Sequence, residues 1–346
     1  MSNIFASIAW TAHVMPFIAW AACVKNYASA VSHALFFSLL ASALAVIVQK
    51  HLFLDHGMLP FVEMYDMPGY WSVFENQETI VTYIRRPFGW YPEPSFMAGT
   101  LALGVCAYVL LKGLRRKKLS LIDWILFGFV AYALFVSRSG SSAVTLGLLT
   151  IVLFWPRSLT RMGRFVLLPA AIAALIGARL LIASRSATTL NYSWDDRLSS
   201  IVAGFRYLFE KPELIFSGVG KGNATVLAAD QSFDYSDLEA IHVTADIVSV
   251  TGRLVVENGL LGFVAVILLC FVIFQAFRKF LGIIAACSVV GIWMVVSFLT
   301  ISYDSATLIW ALPGACLGVL SIRENFTIDS IRIGNTFNCG RPHLTS

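Results

Sequence analysis

Charged residues are scarce in this sequence: Asp, Glu, Lys and Arg make up 13% of the 346 residues, whereas hydrophobic residues make up 58%. A soluble domain usually carries about 25% charged residues, so the composition excludes an ordinary water-soluble globular protein. The net charge is +5, but the basic residues collect beside apolar segments, where such residues set membrane topology. We therefore expect a lipid bilayer, and no nucleic acid, among the partners.

Cysteines are few and are placed neither for cross-linking nor for zinc. Of the six, only Cys339 lies in a polar segment, and the other five lie inside apolar runs. The long polar loops contain none, which excludes a disulfide framework, and no spacing is typical of a zinc site. We expect no metal and no cofactor. The segment Met1–Trp20 lacks a basic n-region and a clear cleavage site, which predicts a retained helix rather than a signal peptide.

Long apolar runs dominate the rest of the chain. A bilayer core is crossed by about 20 mostly apolar residues, and nine segments qualify, of which we expect the short third and fifth to extend into flanking polar residues. The sequence therefore predicts an all-α polytopic membrane protein, with residues 1–322 as a single integral-membrane domain and 323–346 as a cytoplasmic tail. The nine segments are Ile4–Val24, Ala30–Val48, Met97–Leu111, Leu119–Val136, Ala143–Trp155, Phe165–Ile182, Gly259–Phe277, Leu281–Ile301 and Ala306–Ile322.

Basic clusters predict the orientation. They follow the third, fifth and seventh segments, so nine alternating helices place all three clusters on one side, which is the cytoplasmic side by the positive-inside rule. The N-terminus is then outside and the C-terminus inside. Two long loops, 49–96 and 183–258, are predicted on the outer face, and both hold more acids than bases. The clusters are Lys112, Arg115, Arg116, Lys117 and Lys118, then Arg157, Arg161 and Arg164, then Arg278 and Lys279.

The first outer loop ends in "RRPFGWYPEPSF", which begins at Arg85. Adjacent arginines on an outer face need a partner, and Arg85 and Arg86 have two candidates: lipid phosphate or acidic side chains of the loop, or an anionic substrate. Glu93 either caps the following helix or belongs to a site. The loop aromatics either stack on sugar rings or anchor the loop at the membrane interface; they are Tyr65, Tyr70, Trp71, Trp90 and Tyr91.

The short outer turn "SRSGSS" carries Arg138 between two apolar segments. An arginine this close to a bilayer is costly unless it is paired or faces water, so it is a candidate site residue. The alternative is that Arg138 extends along the apolar surface to the interface.

The second outer loop contains three features. Apolar residues recur at helical spacing from Arg197 to Phe209, which predicts an amphipathic helix on the membrane, capped by Asp195 and Asp196. "GVGKGN" is a glycine-rich turn without the P-loop pattern, and is a weak phosphate-binding signal. His242 is either a structural residue or a proton-transfer group, and Arg253 lies close to the next apolar segment.

Four motifs follow one another in a recognisable order: "RRPFGWYPEPSFMA", "SRSGSSAVTLGLL", "DDRLSSIVAGFRYLFEKPELIFSGVGKGN" and "VVENGLLGFVAVILL". In order and placement they are similar to those of the O-antigen ligase and polysaccharide polymerase family, whose members are inner-membrane glycosyltransferases with a large periplasmic loop. The resemblance spans residues 85–269. It implies a membrane glycosyltransferase C-like fold and metal-independent transfer of a glycan from undecaprenyl diphosphate to an acceptor hydroxyl.

By position, the resemblance assigns Arg86, Arg138 and Arg197 to donor binding, and His242 is the nearest match to the family's loop histidine. Arginine suits a diphosphate because its planar fork pairs phosphate oxygens. We expect Arg85 and Arg253 to assist these arginines. As the general base, Glu93, Asp195 and Asp246 stand as alternatives to His242, and Ser249 lies nearer the usual position of the histidine.

Three functions remain open at this stage. The first is a polymerase that joins carrier-linked repeats, with a chain-length regulator or other polysaccharide-assembly proteins as expected partners. The second is a ligase that passes the finished glycan from the carrier to an acceptor. The third is a transporter or flippase of a lipid-linked glycan, although transporters place ionisable groups near the midplane and here the charges cluster at the outer surface, apart from Arg179 near the end of the sixth segment. A purely structural membrane subunit is less favoured, because it leaves the paired outer arginines unexplained.

Overall fold

The computed structural model describes residues 2–59, 78, 86–91, 93–115, 119–154, 192–229, 247, 249–299 and 309–322. Every long element in these ranges is a helix: α1 (Ser2–Val48), α2 (Pro94–Leu114), α3 (Leu121–Val136), α4 (Gly140–Phe154), α5 (Tyr192–Glu210), α6 (Asn223–Ala229), α7 (Val250–Leu281), α8 (Ile283–Leu299) and α9 (Ile309–Ile322). A π-helical turn, Gln49–Phe53, and a 3₁₀ turn, Leu54–His56, extend α1.

Within these ranges, three helical spans are long and apolar enough to cross a membrane, Met15–His56, Pro94–Leu114 and Val250–Leu281, and four shorter apolar helices accompany them. This composition fits the predicted membrane protein. The described helices overlap eight of the nine predicted segments, and Phe165–Ile182 lies outside the described residues. As expected, the third and fifth segments extend into polar flanks, because Pro94 and Gly140 begin their helices. The number of membrane crossings stays a prediction.

Helix α1 contains both the first and the second predicted segments. They meet at Tyr27 (φ −135°, ψ 35°) without the loop expected between them. The first half approaches α9, because a Cβ on Gly314 would lie 2.4 Å from the Phe17 carbonyl oxygen and one on Gly318 would lie 2.5 Å from that of Ala21. Residue numbers rise together along this contact, so the first half runs parallel to α9.

The second half of α1 packs on α2 in the opposite sense. A Cβ on Gly104 would meet the Leu39 side chain at 2.8 Å, and one on Gly89, which precedes α2, would meet Val46 at 3.1 Å. Residue numbers here change in opposite directions, so the second half of α1 and α2 are antiparallel. Cys106 of α2 and Cys316 of α9 are both fully buried in the same hydrophobic core.

One end of the helix bundle is basic. Lys112 Nζ of α2 lies 3.0 Å from the carboxylate of buried Asp123 in α3, and a Cβ on Gly113 would lie 3.3 Å from Phe280 of α7. These contacts bring together the end of α2, the beginning of α3 and the end of α7. The basic clusters after the third and seventh predicted segments therefore share one end, in agreement with the topology argument. We call it the basic end; it carries Lys112, Arg115, Arg278 and Lys279.

The opposite end holds the motifs of the predicted site. Because α2 and α7 end at the basic end and α3 begins there, the residues before Pro94, the turn after Val136 and the fold-back at Gly259 all lie at the other end. We call it the polar end, and Glu93, Arg138 and Glu257 mark it.

Helix α7 folds back on itself at Gly259 (φ 57°, ψ −136°). Residues eight positions apart lie about 12 Å apart along a straight helix. A Cβ on Gly262 would nevertheless lie 2.2 Å from the Leu254 carbonyl oxygen. Residues 250–258 therefore form a short helix packed against the start of the long one, and Thr251 Oγ1 donates to Ser297 Oγ of α8 at 2.6 Å. The long helix thus begins at the predicted Gly259, and residues 250–258 form a short helix before it that the sequence does not predict.

The contact between α9 and the first half of α1 predicts a position-specific effect of one methyl group. Gly314→Ala is expected to lower the free energy of unfolding by about 1–3 kcal/mol, because overpacking displaces closely packed groups. Gly128→Ala, also inside a helix but with no described atom within 4 Å of its Cβ, is expected to leave stability unchanged or to raise it by up to about 1 kcal/mol. Thermal unfolding of the two purified variants in detergent measures the contrast, and equal midpoints would contradict the close approach.

Candidate functional site

The centre of the polar end is the carboxylate of Glu257, whose side chain is 0% exposed. Its Oε1 accepts hydrogen bonds from Arg253 Nε at 2.9 Å and from the Gly222 amide at 3.0 Å. Lys221 Nζ lies 3.7 Å from Oε2, and Oε2 accepts no hydrogen bond in the described part of the chain. A buried carboxylate is stabilised by such cations and hydrogen-bond donors. Glu257, Arg253, Lys221 and the Gly222 amide therefore stabilise one another.

The glycine-rich turn, residues 218–223, wraps the fold-back of α7. The amides of Val219 and Gly220 donate to the carbonyls of Val256 and Glu257, both at 3.0 Å. Carbonyls at a helix end lack partners within the helix, and here this turn provides them. Three amides of the turn, counting that of Gly222, thus bind Val256 and Glu257, and those of Gly218 and Asn223 donate to the carbonyls of Leu214 and Gly220. The turn positions Glu257 and is not a phosphate-binding loop of the P-loop kind, which agrees with its weak sequence signal.

Two glycines make this contact possible. Gly218 (φ 68°) is buried, and a Cβ on it would lie 2.3 Å from the Glu257 carbonyl carbon. Gly259 (φ 57°) faces the Ile215 carbonyl oxygen, which would lie 2.3 Å from its Cβ and which accepts a hydrogen bond from the Leu260 amide at 2.8 Å. Both positions combine a left-handed conformation with close backbone approach, the two conditions that only glycine satisfies.

The turn between α3 and α4 presents Arg138. Its φ is +49°, and it is the one non-glycine residue with positive φ in the described ranges. Ser137, fully buried beside it, donates to the Leu134 carbonyl at 2.7 Å and lies 2.6 Å from Ser142 Oγ. The arginine itself is exposed. Buried hydroxyl contacts therefore hold the turn in place while the guanidinium faces the surroundings.

The loop before α2 is held by Gln49, which is 4% exposed. Its Oε1 accepts from the amides of Phe88 and Gly89 at 2.7 and 2.8 Å, and its Nε2 donates to the Gly89 carbonyl at 3.3 Å. Gly89 has φ 65°. This side chain fixes the turn that begins at Arg86, a partly exposed residue, against the end of α1.

Glu93 occupies the N-cap position of α2, but its carboxylate makes no capping hydrogen bond there. Its backbone carbonyl accepts from the Met97 amide at 3.2 Å, and its Oε2 accepts from Ser95 Oγ at 2.6 Å. Trp90 is 52% exposed, and the Tyr91 hydroxyl lies 3.1 Å from Ser42 Oγ. Of the two alternatives for Glu93, capping through the carboxylate is therefore not observed, although Glu93 is the N-cap residue.

Helix α5 begins earlier than predicted. It starts at Tyr192, so Asp195 and Asp196 lie inside the helix and are not its cap, and Arg197 is its sixth residue. Its apolar residues divide between two surroundings. Ile201 and Leu208 are buried in a cluster that includes Val256 of α7, whereas Leu198, Val202 and Phe209 remain exposed. An exposed apolar edge on an amphipathic helix fits the predicted position along a membrane.

The structure brings Glu93, Arg86, Arg138 and Arg253 to the polar end, and their roles in substrate binding or catalysis stay predictions. Arg85, His242 and Asp246 lie outside the described residues, as do the loop aromatics Tyr65, Tyr70 and Trp71. Ser249 is the N-cap of α7, with its Oγ accepting from the Gly252 amide at 2.9 Å. In the described ranges, no three His, Cys, Asp or Glu side chains are grouped to hold a metal ion.

Glu257 and Lys221 lie within the sequence motifs, but the sequence alone did not identify them as site residues. The spacing of Arg253 and Glu257, four positions apart on a helix, was an available signal, because such residues face each other. Gln49 had no such signal, since its partners lie about 40 positions away.

The chain matches none of the protein-family models, characterised proteins and solved structures with which it was compared.

Proposed function

We propose that this chain is a polysaccharide polymerase that joins undecaprenyl-diphosphate-linked glycan repeats at the periplasmic face of the bacterial inner membrane. One observation carries the proposal: segments of the four motifs that resemble the O-antigen ligase and polymerase family lie at the same end of an apolar helix bundle. "RRPFGW" is held by Gln49, "SRSG" presents Arg138, and "GVGKGN" binds "VVENG" through Glu257. In sequence these motifs span residues 85–259.

The chemistry proposed for the polar end fits a diphosphate donor. A glycosyl diphosphate has a good leaving group, so the main requirement is to stabilise negative charge as the bond to the anomeric carbon breaks. Arg86 and Arg138 supply guanidinium groups for this purpose, and Arg197 adds a third on α5. Arg253 contributes through Glu257, which its Nε binds, and so positions the glycine-rich turn.

The charge distribution supports a periplasmic site. Lys112, Arg115, Arg278 and Lys279 share the basic end, and positive-inside behaviour assigns that end to the cytoplasm. Helix α8 begins next to the end of α7 at the basic end, and Trp293 in its later part donates to the carbonyl of Ile309, the first residue of α9, at 2.8 Å. Helix α9 and the parallel first half of α1 therefore run towards the basic end, which is consistent with an outer N-terminus and an inner C-terminus. Charges at the polar end, rather than at the middle of the bundle, favour glycan transfer over transport.

Deletion of the gene and complementation with wild type or Arg138→Ala test the proposal. Gel separation of surface and lipid-linked glycan is expected to show single repeats on an otherwise normal acceptor in the deletion strain and with Arg138→Ala, and a full ladder with wild type. Full-length chains stranded on the lipid carrier would instead identify a ligase. An unchanged ladder would contradict both activities, and glycan retained on the cytoplasmic face would identify a flippase.

A further inference from the structure

A second polar cluster lies where α1 ends, in the π-helical turn Gln49–Phe53. His51 Nδ1 is 3.1 Å from Asp55 Oδ2, and His51 Nε2 is 2.7 Å from the Tyr132 hydroxyl of α3. The imidazole also stacks on the Tyr132 ring, with 5.9 Å between centroids and 14° between planes. π-Helical turns within helices occur frequently at functional sites, because they redirect successive side chains.

The hydrogen bonds assign a tautomer to His51. Lys50 Nζ lies 2.6 Å from the other oxygen of Asp55 and stabilises its ionised form. An ionised carboxylate only accepts hydrogen bonds, so Nδ1 carries the proton and donates to Asp55, and Nε2 is left as an acceptor. The Tyr132 hydroxyl therefore donates to Nε2, and its oxygen can accept a hydrogen bond from a further hydroxyl group.

This cluster is solvent-accessible and lies at the polar end. The side chains of His51 and Asp55 are 45% and 40% exposed, and Tyr132 is 42% exposed. Gln49, two residues before His51, holds the turn that begins at Arg86. Tyr132 lies about one helical turn before α3 ends at Val136, next to the turn of Arg138. The π-helical segment thus connects the two arginine-bearing turns that we assign to the donor.

We propose that His51 is the proton acceptor of the glycosyl transfer, that Tyr132 relays the proton and that Asp55 is a positioning residue. This inference rests on the proposed function. The acceptor hydroxyl loses its proton to the Tyr132 oxygen while Tyr132 passes its own proton to His51 Nε2. The acceptor oxygen forms a bond to the anomeric carbon, and the carbon–oxygen bond to the diphosphate breaks with its electron pair on the diphosphate. The ligand class is a sugar hydroxyl.

The proposal predicts a selective loss of turnover. Purified full-length protein in lipid nanodiscs is given the single-repeat, undecaprenyl-diphosphate-linked glycan from the deletion strain, and new glycosidic bonds are counted. His51→Ala is expected to lower kcat by about 10²–10⁴-fold, the usual contribution of a general base, with little change in KM for the donor. Added imidazole is expected to restore part of the rate, and Tyr132→Phe to give a smaller loss. His56→Ala changes an exposed histidine of the adjoining 3₁₀ turn and is expected to retain wild-type kcat.

Two results would overturn this assignment while leaving the proposed function in place. One is an undiminished kcat in His51→Ala while His242→Ala is inactive, which would make the loop histidine the base. The other is a loss in His51→Ala that imidazole leaves unrepaired, which would indicate a structural role. If the wild-type protein forms no glycosidic bond from the lipid-linked repeat, both the assignment and the proposed function are wrong.

Discussion

Glu257→Ala is expected to lower the free energy of unfolding by about 3–5 kcal/mol, the cost of leaving buried charges without their partner. Arg253 and Lys221 face this carboxylate with side chains only 13% and 9% exposed. The Gly222 amide would lose its acceptor as well. Thermal unfolding of the purified variant measures the global effect. Hydrogen exchange of the Val219, Gly220 and Gly222 amides shows whether the glycine-rich turn detaches.

Two matched variants separate charge from other effects. Glu257→Gln keeps an acceptor for Arg253 and Gly222 but removes the negative charge, so an intermediate loss is expected. Glu213→Ala removes an exposed acid of the preceding 3₁₀ turn and is expected to change stability by no more than about 0.5 kcal/mol. If Glu257→Ala and Glu213→Ala unfold alike and the turn amides keep their protection, Glu257 does not hold this part of the polar end together.

The sequence predicts the helices well because the bilayer imposes a length on apolar segments. The described apolar helices fall where the apolar runs are. Boundaries were predicted only approximately: the third and fifth segments were expected to extend into polar flanks, but only the structure places their first residues at Pro94 and Gly140. The sequence predicts that residues 25–29 separate the first two helices, whereas in the structure the two segments meet at a kink at Tyr27, because apolar length gives no measure of how few residues a connection needs.

The sequence selected some residues of the polar end, but not Glu257, Lys221 or Gln49, and not the way these segments assemble. Composition and placement selected Arg138, and family resemblance selected the glycine-rich turn and the "VVENG" segment. That these two segments bind each other depends on main-chain hydrogen bonds between residues about 35 positions apart, and main-chain bonds leave no pattern in side-chain identity. The fold-back at Gly259 has the same origin: Asn258-Gly259 marks a break, but only the structure shows that Leu254 returns to Gly262.

Replacement of Arg138 is expected to change both the stability of the protein and its transfer activity. A residue other than glycine in the left-handed region costs roughly 1–2 kcal/mol, and such strain is retained where a side chain is needed in one place. Arg138→Gly removes both the strain and the guanidinium. It is therefore expected to be more stable than Arg138→Ala by about 1 kcal/mol and just as deficient in transfer, with kcat lowered by about 10²–10³-fold through lost charge stabilisation.

Arg138→Lys completes the series, because lysine keeps the charge and the strained backbone but lacks the planar fork that pairs two phosphate oxygens. Its kcat is expected to lie between those of wild type and Arg138→Ala. Thermal unfolding measures the stability of all three variants, and the glycosidic-bond assay in nanodiscs measures their kcat. Wild-type transfer by Arg138→Gly would mean that the guanidinium does not contact the donor. Equal stability of Arg138→Gly and Arg138→Ala would mean that the turn relaxes once Arg138 is replaced, so that glycine relieves no backbone strain. If Arg138→Gly is more stable than Arg138→Ala but equally inactive, Arg138 is held in its strained conformation for its charge. An arginine that only ends a helix would be replaced without loss of transfer.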